Sequence, residues 1–181
     1  MSVQPAMSAL AGEVSAALRR KGVEAILVGG AVVTIYSRNE YESLDLDFVV
    51  RGTDRGVAEG MQSIGFMRGT GRHFERRGTK CIVEFLSPPP AVGGLLVHSF
   101  AHLRTAHGTL LLYEPTHCVM DRLAAFYHWS DRQSLDQAVM VARRHRIRMQ
   151  EIEAWSAGEG HPERFREFRD ALATARRRRK R

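Results

Sequence analysis

The chain has 181 residues, 44% of them hydrophobic and 26% charged, with a formal charge of +7. This fits one globular domain with at most a small appendage. No stretch approaches the ~20 apolar residues of a membrane-spanning helix, and the N-terminus lacks the apolar core of a secretory leader, so a cytoplasmic protein with no membrane partner is expected. The two cysteines, Cys81 and Cys118, stand alone, which argues against a zinc site.

Residues 6–21 carry apolar positions at helical spacing, from Met7 to Leu18, and Gly22 stops the helix. Ala25 to Val28 has strand length, Gly29-Gly30 makes a tight turn, and Ala31 to Tyr36 suits a helix leaving it. Leu46 to Val50 reads as a second strand and 54–63 as a short helix. His73 to Arg76 and Lys80 to Leu86 are strand candidates around Gly78, with Ile82, Glu84 and Leu86 sharing one face. Pro88-Pro89-Pro90 and Gly93-Gly94 mark a loop, and Leu110 to Tyr113 is another strand. From Pro115 onward the spacing is helical: a first stretch at Val119 to Tyr127, a second at Leu135 to Ala142, a third around 149–156, and a last from about Pro162. Trp129 and Trp155 read as helix-packing residues. The plan is an α+β core over residues 1–114, a small mixed sheet flanked by helices, then a helical bundle over 115–175. Residues 176–181, all basic, form a tail expected to be disordered and solvated. The alternative is contact with phosphate backbones.

The informative segments are Ile26-Leu27-Val28-Gly29-Gly30 and Ser43-Leu44-Asp45-Leu46-Asp47. On a strand, Asp45 and Asp47 point to the same side. Two such carboxylates raise each other's pKa unless a cation lies between them, and hard oxygen ligands favour Mg2+ or Mn2+. A glycine pair that ends a strand and opens a helix leaves room for a phosphate against backbone N–H groups.

This pattern resembles the polymerase-beta-like nucleotidyltransferase superfamily: a strand, a glycine pair, a helix, then Asp-x-Asp on the next strand. The resemblance implies a nucleotidyltransferase fold and transfer of a nucleoside monophosphate from a triphosphate to a hydroxyl. It assigns Asp45, Asp47 and, on a later strand, Glu84 to metal binding and catalysis. Within the superfamily the chain is similar to the bacterial branch linked to abortive infection (AbiEii-like) and toxin–antitoxin systems, on the segments Asp121-Arg122-Leu123 and Asp131-Arg132-Gln133-Ser134-Leu135-Asp136. That likeness adds Arg122 and Asp136 to Gly29, Gly30 and Ser43 as nucleotide-binding residues. The implied partners are a nucleoside triphosphate, an RNA (tRNA) or protein acceptor, and a cognate antitoxin. Arg122 stands where the branch often has lysine, and no arginine immediately precedes Ser43. These departures motivate the alternative of a catalytically inactive module that binds RNA or a partner protein.

Overall fold

The computed structural model describes residues 7–69 and 73–178. Helix α1 (Met7–Arg19) buries Leu10, Val14 and Leu18. Strand β1 (Glu24–Val28) is buried along nearly all its length and runs directly into α2 (Gly29–Ser37). Strand β2 (Asp45–Arg51) leads to α3 (Asp54–Gln62), whose start is capped by Thr53, its side chain accepting from the Gly56 N–H. Then follow β3 (Met67–Arg68), β4 (His73–Glu75), β5 (Ile82–Leu86), a hairpin of β6 (Ala91–Val92) and β7 (Leu95–Leu96), β8 (Phe100–Thr105) and β9 (Gly108–Tyr113). Four helices follow among the described residues: α4 (Pro115–Trp129), α5 (Arg132–Ala142), α6 (Met149–Gly158) and α7 (Pro162–Arg178).

Seven strands form one mixed sheet in the order β3-β4-β5-β2-β1-β9-β8. The central strand β2 is antiparallel to β1 and parallel to β5, and β1 is parallel to β9. This register places Leu27, Phe48 and Phe85 in one row and Leu27 beside Leu112. Leu27, Phe48 and Leu112 are fully buried, each burial contributing about 2 kcal/mol. The sheet is larger than the sequence signals suggest. Two-residue β3 is too short to show a period. Strand β8 is an edge whose His102 and Arg104 face solvent while Leu103 is half-buried. The segment read as a loop around Gly93-Gly94 contains the β6–β7 hairpin, held by the Trp155 Nε1 donating to the Val92 carbonyl at 3.2 Å.

Pro115 opens α4 at its N-terminus, where a missing N–H costs nothing. Ser130, in a left-handed conformation, ends it, and Asp131 caps α5 by accepting from the Gln133 N–H. Helix α2 packs against both α4 and α5, and α7 docks on α5 and α6 through Phe165, Phe168 and Leu172. Buried residues of the sheet and of all four C-terminal helices form one continuous cluster. Trp155 joins that core, whereas Trp129 is 70% exposed and stands outside it, edge-on to the His128 ring. Arg176 to Arg178 are not a disordered tail: they form the last turn of α7, and Arg176 donates to the Ala142 carbonyl at 3.1 Å. Residues 179–181 lie outside the described residues. No described helix is long and apolar enough to cross a membrane.

Candidate active site

Register decides which side chains meet. Asp47 is the Cα partner of Val28 on one side and of Glu84 on the other, and Glu84 is the partner of His73 on β4. Partners on adjacent strands share a face at a strand spacing of about 4.8 Å. A row therefore crosses the sheet from His73 through Glu84 and Asp47 to Val28, with Asp45 one pleat along β2. Leu46 and Phe48 anchor β2 from the opposite face, fully buried. Asp45 and Glu84 are exposed and Asp47 is half-buried.

Val28 is also the residue before Gly29, so the row ends at the start of α2. The glycine pair is not a separate turn preceding a helix at Ala31; it forms the first turn of α2. Gly29 has φ +70°, a backbone conformation that side chains disfavour. A Cβ there would also lie 2.5 Å from the Asp47 Oδ2. At Gly30 a Cβ would approach the Ser43 Oγ at 3.0 Å, with Tyr41 just beyond. No side chain caps α2, so its first turn keeps the unpaired N–H groups and partial positive charge typical of a helix start.

Ser43 is buried and acts as a brace. Its N–H donates to the Thr34 Oγ1 at 2.9 Å, and its hydroxyl accepts from the Asp45 N–H and donates to the Asp45 carbonyl. It fixes where β2 begins, and thereby where Asp45 and Asp47 stand.

The helical half contributes a charged pair. Arg122 on α4 donates through Nη2 to Asp121 at 2.5 Å, through Nε to the same carboxylate at 3.0 Å, and through Nη1 to Gln137 of α5 at 3.4 Å. Burial opposes its charge, yet Asp121, with help from Asp47, holds Arg122 above the ordinary guanidinium range. Asp47 is also shifted upward, which for a carboxyl disfavours the charged form. Burial, then repulsion from Asp45 and Glu84, pushes its carboxyl up to about 6, against the pull of Arg122.

The structure thus brings together Asp45, Asp47, Glu84, Gly29, Gly30 and Arg122. It does not bring Asp136, which is exposed on α5 and lines a groove against α7 with Glu167 and Asp170. One residue along, Gln137 points inward and reaches Arg122, because successive helical residues turn by ~100°. Gln137 and His73 were missed. The first is a polar residue inside the buried stripe Ser134, Ala138 and Val141, which is a legible signal. The second depends on strand register, which has none. Among the described residues, no three acidic, histidine or cysteine side chains are grouped as ligands of a single ion. The carboxylates share a face without converging, and that of Asp47 leans over Gly29.

A mixed sheet with a strand–glycine–helix unit beside an Asp-x-Asp strand defines a nucleotidyltransferase-like fold. The chain is similar to the crystal structure of an antigenic nucleotidyltransferase-like protein from Paracoccidioides brasiliensis, with a TM-score of 0.57 at 13% identity over 75% of each chain. A looser similarity, TM-score 0.49 at 10% identity over 93% of this chain and 91% of the other, relates it to the solution structure of the antibiotic-resistance factor ANT(2'')-Ia. No protein-family model and no curated protein sequence matches the chain.

Proposed function

We propose that this protein is a metal-dependent nucleotidyltransferase that moves a nucleoside monophosphate from a nucleoside triphosphate to a hydroxyl of an RNA, such as a tRNA end, or of a protein. The observation that carries this is the pairing of Asp47 with Glu84 across β2 and β5, with Asp45 on the same face. Three carboxylates crowd there with one arginine to offset them, and the crowding helps lift Asp47 to about 6.

The donor set suits Mg2+ or Mn2+, which take carboxylate oxygens. Asp45, Asp47 and Glu84 would hold the ion after side-chain rotation alone, since the register already supplies the common face. Bound there, the metal would neutralise phosphate charge and favour the acceptor oxygen as nucleophile. The first turn of α2 offers N–H groups to the triphosphate, and Gly29 keeps that approach clear of a side chain. Arg122 supplies a fixed positive charge from α4. Glu84 accepts the proton of the acceptor hydroxyl. The oxygen attacks the α-phosphorus, the bond to the oxygen bridging the β-phosphorus breaks, and pyrophosphate leaves with that electron pair.

A role in a toxin–antitoxin or abortive-infection system belongs to the same proposal. Asp121-Arg122 supports it by lying within electrostatic reach of Asp47; Asp136, in the groove against α7, lends it nothing. Growth arrest on expression, relieved by a cognate antitoxin, is its sign.

Two observations favour a second reading, a catalytically inactive module that binds RNA or a partner protein: among the described residues the carboxylates do not form a ready ligand set, and Arg122 is already engaged by Asp121 and Gln137. Labelled nucleoside triphosphates with Mg2+ and either total RNA or lysate separate the two. Acceptor labelling that disappears in Asp45→Ala and Asp47→Ala supports transfer. A folded protein that labels nothing, with any common nucleotide and either metal, supports the inactive module.

A further inference from the structure

Arginines converge where α5 ends. The turn between α5 and α6 carries Arg143, Arg144, Arg146 and Arg148, the last paired with Glu114 and Glu151. Two contacts fasten this turn to the segment that leaves α2. His145 lies 2.9 Å from the Tyr36 carbonyl through Nε2, with its ring 4.8 Å from the Tyr36 ring, and both Arg143 and Arg144 pair with Glu40. Arg38 sits between those two contacts, exposed, at φ 59°. The bond from Arg176 to the Ala142 carbonyl brings the last turn of α7, with Arg177 and Arg178, to the same end of α5. Arg143 keeps its Nε buried without a hydrogen-bond partner.

Acidic groups balance this surface only in part. Glu40 is shared by two arginines. Asp136, Glu167 and Asp170 lie along the α5–α7 groove that Arg143 and Arg178 also line, and Glu167 is paired with Arg132. Arg38, Arg146, Arg177 and Arg178 pair with no carboxylate among the described residues. The segment fastened by these arginines runs straight into Ser43 and Asp45, so the cationic surface borders the carboxylate face.

We infer that this surface docks the phosphate backbone of an RNA and leads it toward Asp45 and Asp47; the choice of RNA rests on the transfer reaction proposed above. Guanidinium forks match phosphate oxygens, and several loosely spaced ones suit a chain of phosphates better than a single anion. An anionic membrane would also call for an apolar wedge beside the arginines. Of the exposed large hydrophobic residues among those described, Leu44 lies on the segment after α2 that this surface borders, but alone it makes no amphipathic face; Met67, Leu86, Leu95, Leu96 and Trp129 lie on other elements.

The test uses the full chain and fluorescently labelled bulk tRNA, with anisotropy followed across a salt series. Arg146→Glu/Arg177→Glu/Arg178→Glu changes exposed residues outside the catalytic machinery. It should weaken binding at least about tenfold near 0.1 M salt and reduce the slope of log K against log salt by about two to three. Arg166→Glu/Arg169→Glu, on the exposed middle of α7, should leave both quantities unchanged. Equal affinity and slope in the triple variant, an equal loss in the control, or binding to anionic phosphatidylglycerol vesicles but not to tRNA would each overturn the inference. Salt-sensitive tRNA binding without nucleotide transfer leaves it standing and removes the proposed reaction. Transfer to a protein acceptor without tRNA binding does the reverse.

Discussion

Asp47 and Glu84 are direct partners on parallel strands, so the backbone itself sets their separation. The cost of placing them together falls on Asp47, whose carboxyl is raised to about 6 from an ordinary 3.8 by burial and by its two acidic neighbours.

That cost gives stability a pH dependence. Below pH 4 Asp47 is protonated in both folded and unfolded chains. Between pH 4 and 6 the folded chain retains a proton that the unfolded chain has released, so stability falls as pH rises, and above pH 6 the loss is complete. Its size is about 1–2 kcal/mol, after allowance for partial solvent screening. Urea unfolding of the wild type from pH 4 to 8 should show this decline and Asp47→Asn should lack it. At pH 7.5 the variant should be the more stable protein while being inactive in transfer.

Metal should reverse the penalty. Millimolar Mg2+ or Mn2+ at pH 7.5 should raise the melting temperature of the wild type by a few degrees, as expected of a ligand that binds only the folded state. EDTA should abolish the increase, and Asp45→Asn/Asp47→Asn should show none. An identical rise in that double variant would mean that the metal binds elsewhere.

Gly29→Ala should be costly. The positive φ and the contact with the Asp47 carboxylate act together, for a loss of about 2–3 kcal/mol in denaturant unfolding. Gly30→Ala, with ordinary φ and only the Ser43 hydroxyl to displace, should lose about 1 kcal/mol or less.

Removing Arg122 should leave Asp121 unpaired and Asp47 with less to offset its charge. Arg122→Ala should cost about 2 kcal/mol in stability and move the titration of Asp47, followed by carboxylate 13C shifts, to higher pH. Arg122→Lys should restore part of the stability, because an ammonium cannot make both bonds to Asp121 and still reach Gln137.

Neighbouring α5 residues should behave differently. Gln137→Ala should weaken nucleotide binding through the loosened Arg122, several-fold in a direct binding assay. Asp136→Ala should change it by less than twofold. The opposite order would return Asp136 to the site.

The sequence made the Asp-x-Asp strand legible because its signals are local. Asp45 and Asp47 alternate with Leu46 and Phe48 on one strand, and the glycine pair adjoins an apolar run. Glu84 was reachable for the same reason, through the alternation of Ile82, Glu84 and Leu86. What remained hidden depended on register and on helix rotation. Nothing local says that His73 faces Glu84, or that α5 turns Gln137 inward and Asp136 toward α7. The basic C-terminus misled because charge alone says nothing about a helix whose Phe165, Phe168 and Leu172 are buried about one to three turns earlier.

The parallel pairing of β2 with β5 has a temporal consequence. A nascent chain that has emerged only through α3 already owns both aspartates and the glycine pair, yet lacks the strand that supplies the third acid. Strand β9, which closes the other side of β1, emerges later still. The acidic face thus forms only when separate segments have joined, and a polypeptide that ends before β5 cannot assemble it.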